Sequence, residues 1–352
     1  MTKASSRESN IELLRLVAIF FVILEHFIIK GVGTVGFTSP YSIEQHGMGG
    51  VLIVSFCICA VNLFLLITGW FGVRNLYKGV VRLVIDCIAF GSISYVCLCT
   101  FFDHGFTVVE WFKSSIFTPN RFVTVYMMLL IISPLIERAL EKVDSAQFRT
   151  FIILFTIVEV VFGYVFNYSN GYDLVHFAYM YCLARYLKLS SEKKRNIVTR
   201  KYSLAIYLVT SLAIAAAFIF LNVVVHKWND AMFYFRYNNP LIIITAGSLF
   251  LFFSRLQFSN RIVNILATGV FGTFILHTTP FLIPVRNEYT HRIFEQYGYY
   301  GVFVECCLLF VVCCLLSVPI SKVTQRLTKW ICSSFRNYFC KNEIRGKIKK
   351  KE

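Results

Sequence analysis

The chain of 352 residues is 57% apolar or aromatic and only 15% charged, against roughly 25% charged in an ordinary soluble domain. With a mean hydropathy of +0.64, 36 Phe and 19 Tyr, disordered, collagenous and small disulfide-stapled classes are excluded, and an all-α polytopic membrane protein is implied. The formal charge of +16, from 35 Lys and Arg against 19 Asp and Glu, would suggest nucleic acid in a soluble protein, so its distribution along the chain has to decide what it means.

A helical crossing takes about 20 residues, and about ten transmembrane helices are predicted, over residues 11–30, 50–71, 79–102, 122–136, 148–166, 172–189, 202–225, 240–256, 262–285 and 298–320. An even count places both termini on one side. With the N-terminus cytoplasmic, all but Lys30, Lys113, Arg121, Lys227, Arg236, Arg286 and Arg292 of the 35 cations fall on the inner side, as the positive-inside rule requires. The excess concentrates between Lys188 and Lys201 and beyond Lys322. Attraction to an anionic inner leaflet explains it, so no nucleic-acid partner is expected. Residues 1–320 read as one integral-membrane domain and 321–352 as a basic cytoplasmic tail, in a multi-pass protein of the cell membrane surrounded by lipid. The first helix lacks a cleavage site and keeps Glu25 and His26 within its apolar run, so it is expected to remain as a span.

None of the twelve cysteines falls in an outer loop, so exported disulfides are not expected. The Cys and His spacings suit no metal site.

Ionisable groups within apolar spans are costly and mark candidate sites. The first span, NIELLRLVAIFFVILEH, carries Arg15 and His26 eleven residues apart. That spacing is about 20° past three turns, so both share one face, about 16 Å apart along the axis. A permanent cation near the inner boundary and an imidazole deeper in suit a cytosolic acyl-CoA: the fork of Arg15 for a phosphate, His26 as base at the end of the long arm. An ordinary boundary arginine and a hydrogen-bonded interior histidine satisfy the same spacing. Glu12 lies one turn before Arg15 and can hold it. Glu25 points about 100° away from His26 and is expected to meet a polar group on a neighbouring helix, either as a further catalytic residue or as a structural one. His277 sits as far into the ninth span as His26 into the first, which lets both face one cavity, either as a second catalytic residue or as a structural one. Arg82 and Asp86 can pair across one turn. Arg82, with Arg74 and Lys78, is a further candidate for the acyl-CoA site, although inner-boundary cations also serve topology. Arg121 and Tyr126 are acceptor-side candidates near the outer surface. Asn62, Glu159 and Glu305 are buried polar groups whose partners the sequence does not name.

These residues also carry a resemblance. Arg, ten residues, then His, preceded by an acidic residue in NIELLRLVAIFFVILEHF, resembles the start of the membrane-bound acyltransferase 3 family. NLFLLITGWFGVR with Lys78 and Arg82, RFVTVYMMLLIISPLI, GYDLVHFAYMYCLARYLK and VFGTFILHTTPFLIP resemble later landmarks of that family in the same order, over nearly the whole chain. Thr68-Gly69 stands where the family often has Ser-Gly, and Arg121-Phe122 where it commonly has Trp with Tyr or Phe. The resemblance implies an O-acyltransferase that moves an acyl group, usually acetyl, from cytosolic acetyl-CoA. It needs no permanently bound cofactor and no metal. The implied acceptor is a hydroxyl of a cell-envelope, capsular or O-antigen polysaccharide sugar, or of its lipid-linked precursor, in the stand-alone bacterial form without an appended esterase-like domain. Direct transfer and a relay through an acyl-enzyme both remain open. Ten spans with buried polar groups also suit a transporter or flippase for a sugar- or lipid-linked substrate; no internal repeat supports that alternative.

Overall fold

The computed structural model describes residues 8–33, 48–73, 75–101, 105–115, 120–192, 199–225, 233–279 and 282–348. Among these the regular elements are all helical. In chain order they are α1 (Ser9–His26), α2 (Gly49–Cys57), α3 (Ala60–Phe71), α4 (Leu76–Phe101), α5 (Val108–Ser115), α6 (Arg121–Glu141), α7 (Ser145–Ile157), α8 (Leu174–Glu192), α9 (Arg200–Ile219), α10 (Pro240–Ser254), α11 (Arg261–Leu266), α12 (Val270–His277) and α13 (Leu282–Ile348). Short π-helical turns prolong α1 over Phe27–Val32, α7 over Val158–Val165 and α9 over Phe220–Val224.

Six helical stretches among the described residues are long and apolar enough to cross a membrane: Gly49–Phe71, Leu76–Phe101, Arg121–Glu141, Ser145–Val165, Arg200–Asn222 and Leu282–Ser334. Shorter apolar helices cover Pro240–Ser254 and Arg261–His277. Leu308 and Leu315, each 63% exposed, stand among many bare aliphatic side chains on the outside of the bundle, a surface that hydrocarbon rather than water would cover. The molecule is a helical membrane protein.

Two segments depart from the expected spans. The ninth was expected to run over 262–285, but α12 stops at His277. There the Thr278 and Thr279 hydroxyls bond back to the carbonyls of Phe274 and Ile275, and Thr279 precedes Pro280, a position that disfavours helix. A new helix starts at Leu282 and continues through the stretch expected as a tail, to Ile348. It bends at Gly298, whose φ of 62° and ψ of −157° lie in a region open in practice only to glycine. The expected pattern also missed α5, whose Ser114 carbonyl would lie 2.4 Å from a Cβ at Gly91 of α4.

α1 is the axis of the bundle, packing against α2, α3, α10, α11, α12 and α13, with Ile11, Leu14, Ala18, Ile19 and Ile23 fully buried. Its start is fixed by polar contacts. The Asn10 amide donates to the last carbonyls of α10, at Phe253 and Ser254, both at 3.1 Å, and the Asn260 N–H donates to the Ser9 hydroxyl at 3.0 Å. Asn120, Asn239 and Asn260 cap α6, α10 and α11 by accepting from the first free N–H groups, and Asp144 with Gln147 forms a capping box on α7.

α3 and α8 approach at Gly69, where an added Cβ would meet the Tyr181 carbonyl at 2.4 Å and the Ala184 methyl at 2.8 Å. Gly69→Val is therefore expected to cost about 1–3 kcal/mol through overpacking. Gly247→Ala, in α10 with nothing within 4 Å of the new atom, is expected to stabilise by roughly 0.5–1 kcal/mol. Thermal unfolding of the detergent-solubilised protein measures both.

Candidate functional site

A cavity of about 580 Å³ runs beside α1 and is walled by α3, α4, α6, α12 and the start of α13. Arg15, Glu25, His26 and Lys30 all line it. From Arg15 to His26 alone, eleven residues on, it extends about 16 Å along the helix axis.

At one end Arg15 Nη1 reaches both carboxylate oxygens of Glu12, at 3.1 and 3.0 Å, and its guanidinium lies 5.3 Å from the centre of the Phe71 ring. Its Nε and Nη2 donors have no partner among the described residues, leaving most of a five-donor fork open. Arg82 lines the same end and pairs with Asp86 at 3.4 Å; Asp86 in turn accepts from the Thr324 hydroxyl. Lys78 is exposed and does not line the cavity. Arg74 lies outside the described residues.

Midway, the rings of His26 and His277 lie with their centroids 5.3 Å apart at 36°. His277 Nδ1 is 2.9 Å from the Thr273 carbonyl. A carbonyl only accepts, so Nδ1 carries the proton and Nε2 of the neutral ring is bare. That Nε2 is buried and without a partner. The Arg286 Nη1 donates to the His277 carbonyl at 2.9 Å and fixes the end of α12. Glu25 does not orient His26; its carboxylate hydrogen-bonds the Tyr237 hydroxyl, which comes from the segment ahead of α10.

An aromatic wall faces the histidines. Phe122 stacks on Tyr126 at 5.6 Å and 12°, and meets Phe274 edge-on at 5.2 Å. Arg121-Phe122 therefore still yields a platform without tryptophan. The Thr68 hydroxyl donates to the Phe64 carbonyl at 2.8 Å, so its oxygen accepts from Tyr126, 3.1 Å away. Beyond His26 the wall also carries Lys30, Arg121 and Arg286, with the Arg286 guanidinium 5.0 Å from the centre of the Phe27 ring. Arg121 lies 5.6 Å from the centre of the Tyr172 ring.

Sequence reasoning missed Arg286, Tyr172, Tyr237 and Asn120, all cavity-lining, and it left Asn62 and Glu159 without partners. Both bond His176: Nδ1 to Glu159 Oε2 at 2.9 Å and Nε2 to Asn62 Oδ1 at 3.0 Å. The Asn62 amide donates to the Tyr237 carbonyl at 2.9 Å. Asn62 Oδ1 accepts, so His176 Nε2 donates, and one further proton lies between Nδ1 and Glu159. This network holds the backbone of Tyr237, and Tyr237 holds Glu25. Polar residues inside apolar runs were the only available signal, and it did not identify who meets whom. Among the described residues no three His, Cys, Asp or Glu side chains are grouped to hold a metal.

The sequence profile of the acyltransferase 3 family, described as an acyltransferase domain, matches residues 8–322. The chain belongs to that family, and the cavity with His26 on its wall lies inside the matched region. No curated protein and no solved structure matches the chain.

His176→Leu would leave Glu159 and Asn62 with unpaired acceptors, a loss expected at about 1–3 kcal/mol. Leu at both 159 and 176 should lose less than the single change, because the stranded carboxylate is gone. Thermal melting of the three proteins checks the order.

Proposed function

We propose that this acyltransferase moves an acyl group, acetyl in the simplest case, from acyl-CoA on the cytosolic side of the cell membrane to a hydroxyl of an envelope or capsular polysaccharide sugar or its lipid-linked precursor. What carries the reading is the placing of Arg15 and His26 on one cavity wall, with His277 against His26.

In this reading the open donors of Arg15, steadied by Glu12, take a phosphate of the donor, with Arg82 beside it. The thioester arm runs along the cavity toward His26. A sugar hydroxyl enters from the Arg121–Tyr126 side. His26 accepts the hydroxyl proton as the oxygen attacks the thioester carbonyl; the tetrahedral adduct expels the CoA thiolate, and the proton passes from His26 to that sulfur. His277 acts through His26: its bare Nε2 suits it to accept an N–H from the neighbouring ring and orient it. The stacked Phe122 and Tyr126 offer a flat apolar face to a sugar ring, with the Tyr126 hydroxyl at its edge. An N-terminus in the cytosol puts the Arg15 end on the donor side, as the cation distribution suggests.

His26→Ala is expected to lower kcat by about 10²–10⁴-fold, the usual worth of a general base, in the purified protein supplied with acetyl-CoA and acceptor. His277→Phe should lower it as well, and unchanged turnover would remove His277 from the scheme. Arg15→Ala should instead raise the KM for acyl-CoA about tenfold, the loss of roughly 1.4 kcal/mol of phosphate binding. Loss of one O-acetyl group from the envelope glycan of a deletion strain tests reaction and acceptor together.

A further inference from the structure

The two ends of the cavity differ in charge balance. At the Arg15 end each cation has a carboxylate: Arg15 with Glu12 at 3.0 Å and Arg82 with Asp86 at 3.4 Å. At the other end Lys30 and Arg121 have no carboxylate partner among the described residues. Arg286 donates only to neutral oxygens, the His277 carbonyl and Asn287 Oδ1. Glu305, behind it, accepts instead from Thr290 at 3.1 Å. The one carboxylate on that stretch of wall, Glu25, is held by Tyr237. Glu305 still lies within electrostatic range of Arg286, so Lys30 and Arg121 are the cations left without an acid, in a cavity with apolar walls where uncompensated charge is costly and its field is focused on whatever enters.

We infer that the acceptor is anionic, with a sugar carboxylate or phosphate seated among Lys30, Arg121 and Arg286. This rests on the acyl-transfer reading above. The spacing limits where the charge sits on the acceptor. Lys30 follows His26 by four residues, within one turn of the π-helical extension of α1, so a hydroxyl at His26 and an anion at Lys30 belong to the same sugar or to its directly attached phosphate. A hexuronic acid unit and a sugar 1-diphosphate, as in a lipid-linked precursor, both fit that chemistry. All three cations also belong to the few that the charge distribution assigns to the outer side, away from the donor.

The test uses the full chain in lipid nanodiscs with acetyl-CoA and matched acceptors built on glucose, galactose and mannose: the neutral methyl glycoside, the methyl uronoside and the polyprenyl diphosphate sugar. CoA thiol release and product mass are both recorded. An anionic member of a trio is expected to be used about tenfold better in kcat/KM than its neutral counterpart, the worth of one charge-assisted contact. Lys30→Gln and Arg121→Gln should each raise the KM for that acceptor while the KM for acetyl-CoA moves less than about twofold, and Lys30→Arg should retain the preference. Preference for the uronoside places the charge on the sugar; preference for the diphosphate identifies the lipid-linked form. Equal or better use of the neutral glycosides overturns the inference and leaves acyl transfer standing. A raised KM for acetyl-CoA in Lys30→Gln also overturns it, because the cations would then serve the donor. Neither thiol release nor transfer with any acceptor overturns the acyl-transfer reading, and the inference with it.

Discussion

Hydrocarbon offers no hydrogen bonds, so every polar group that α1 carries into the bundle has to be met by another part of the chain. Asn10 is met by the end of α10, Glu12 and Arg15 by each other, and Glu25 by Tyr237. His26 opens onto the cavity, against the ring of His277. These contacts point in different directions around the helix. A slip of one residue turns α1 by about 100° and would strand Asn10, Glu25 and His26 at once, the Glu12–Arg15 pair alone moving with the helix. The register of α1, and with it the distance between Arg15 and His26, is therefore set by polar pairing as much as by the apolar core.

The same constraint explains the network around His176. Asn62 on α3, Glu159 on the π-helical turn after α7 and His176 on α8 are each costly alone, yet together they leave no unpaired acceptor facing His176. Their last bond goes to the carbonyl of Tyr237, so a structural cluster outside the cavity sets the position of a residue that lines it. π-helical turns recur at functional sites. Here one directly follows His26 and another carries Glu159.

Along the cavity, charge and aromatic surface are brought together: paired cations, His26 backed by His277 and an aromatic wall, and the further cations Lys30, Arg121 and Arg286. The order suits a long, charged molecule entering from one end and a second molecule meeting its reactive end midway. Apolar walls between the two charged ends keep water from competing for the groups at the centre.

Much of this was legible in the sequence, because burial in hydrocarbon leaves a compositional record. Long apolar runs gave the helical class, and the 3.6-residue period put Arg15 and His26 on one face. Local spacing also gave the Glu12–Arg15 and Arg82–Asp86 pairs, since residues three and four apart on a helix are neighbours. The depth of His277 in its span anticipated its place beside His26. Other features depend on which helices touch, and no local pattern encodes that. Tyr237 meeting Glu25 and His176 joining Asn62 to Glu159 each link residues far apart in the chain, and Arg286 reaches the end of α12 only because the chain turns back after His277. Lys30, Arg121 and Arg286, which read in sequence as scattered outer cations, likewise come to line one cavity. The break after His277, the bend at Gly298 and the helix that continues to Ile348 were likewise decided by local backbone geometry and packing rather than by hydropathy. The sequence by itself determined a helical membrane acyltransferase, with an arginine and a histidine set along one helix face. The tertiary structure alone decided what surrounds them, because side-chain partners and the charge balance of a cavity exist only once distant helices are packed.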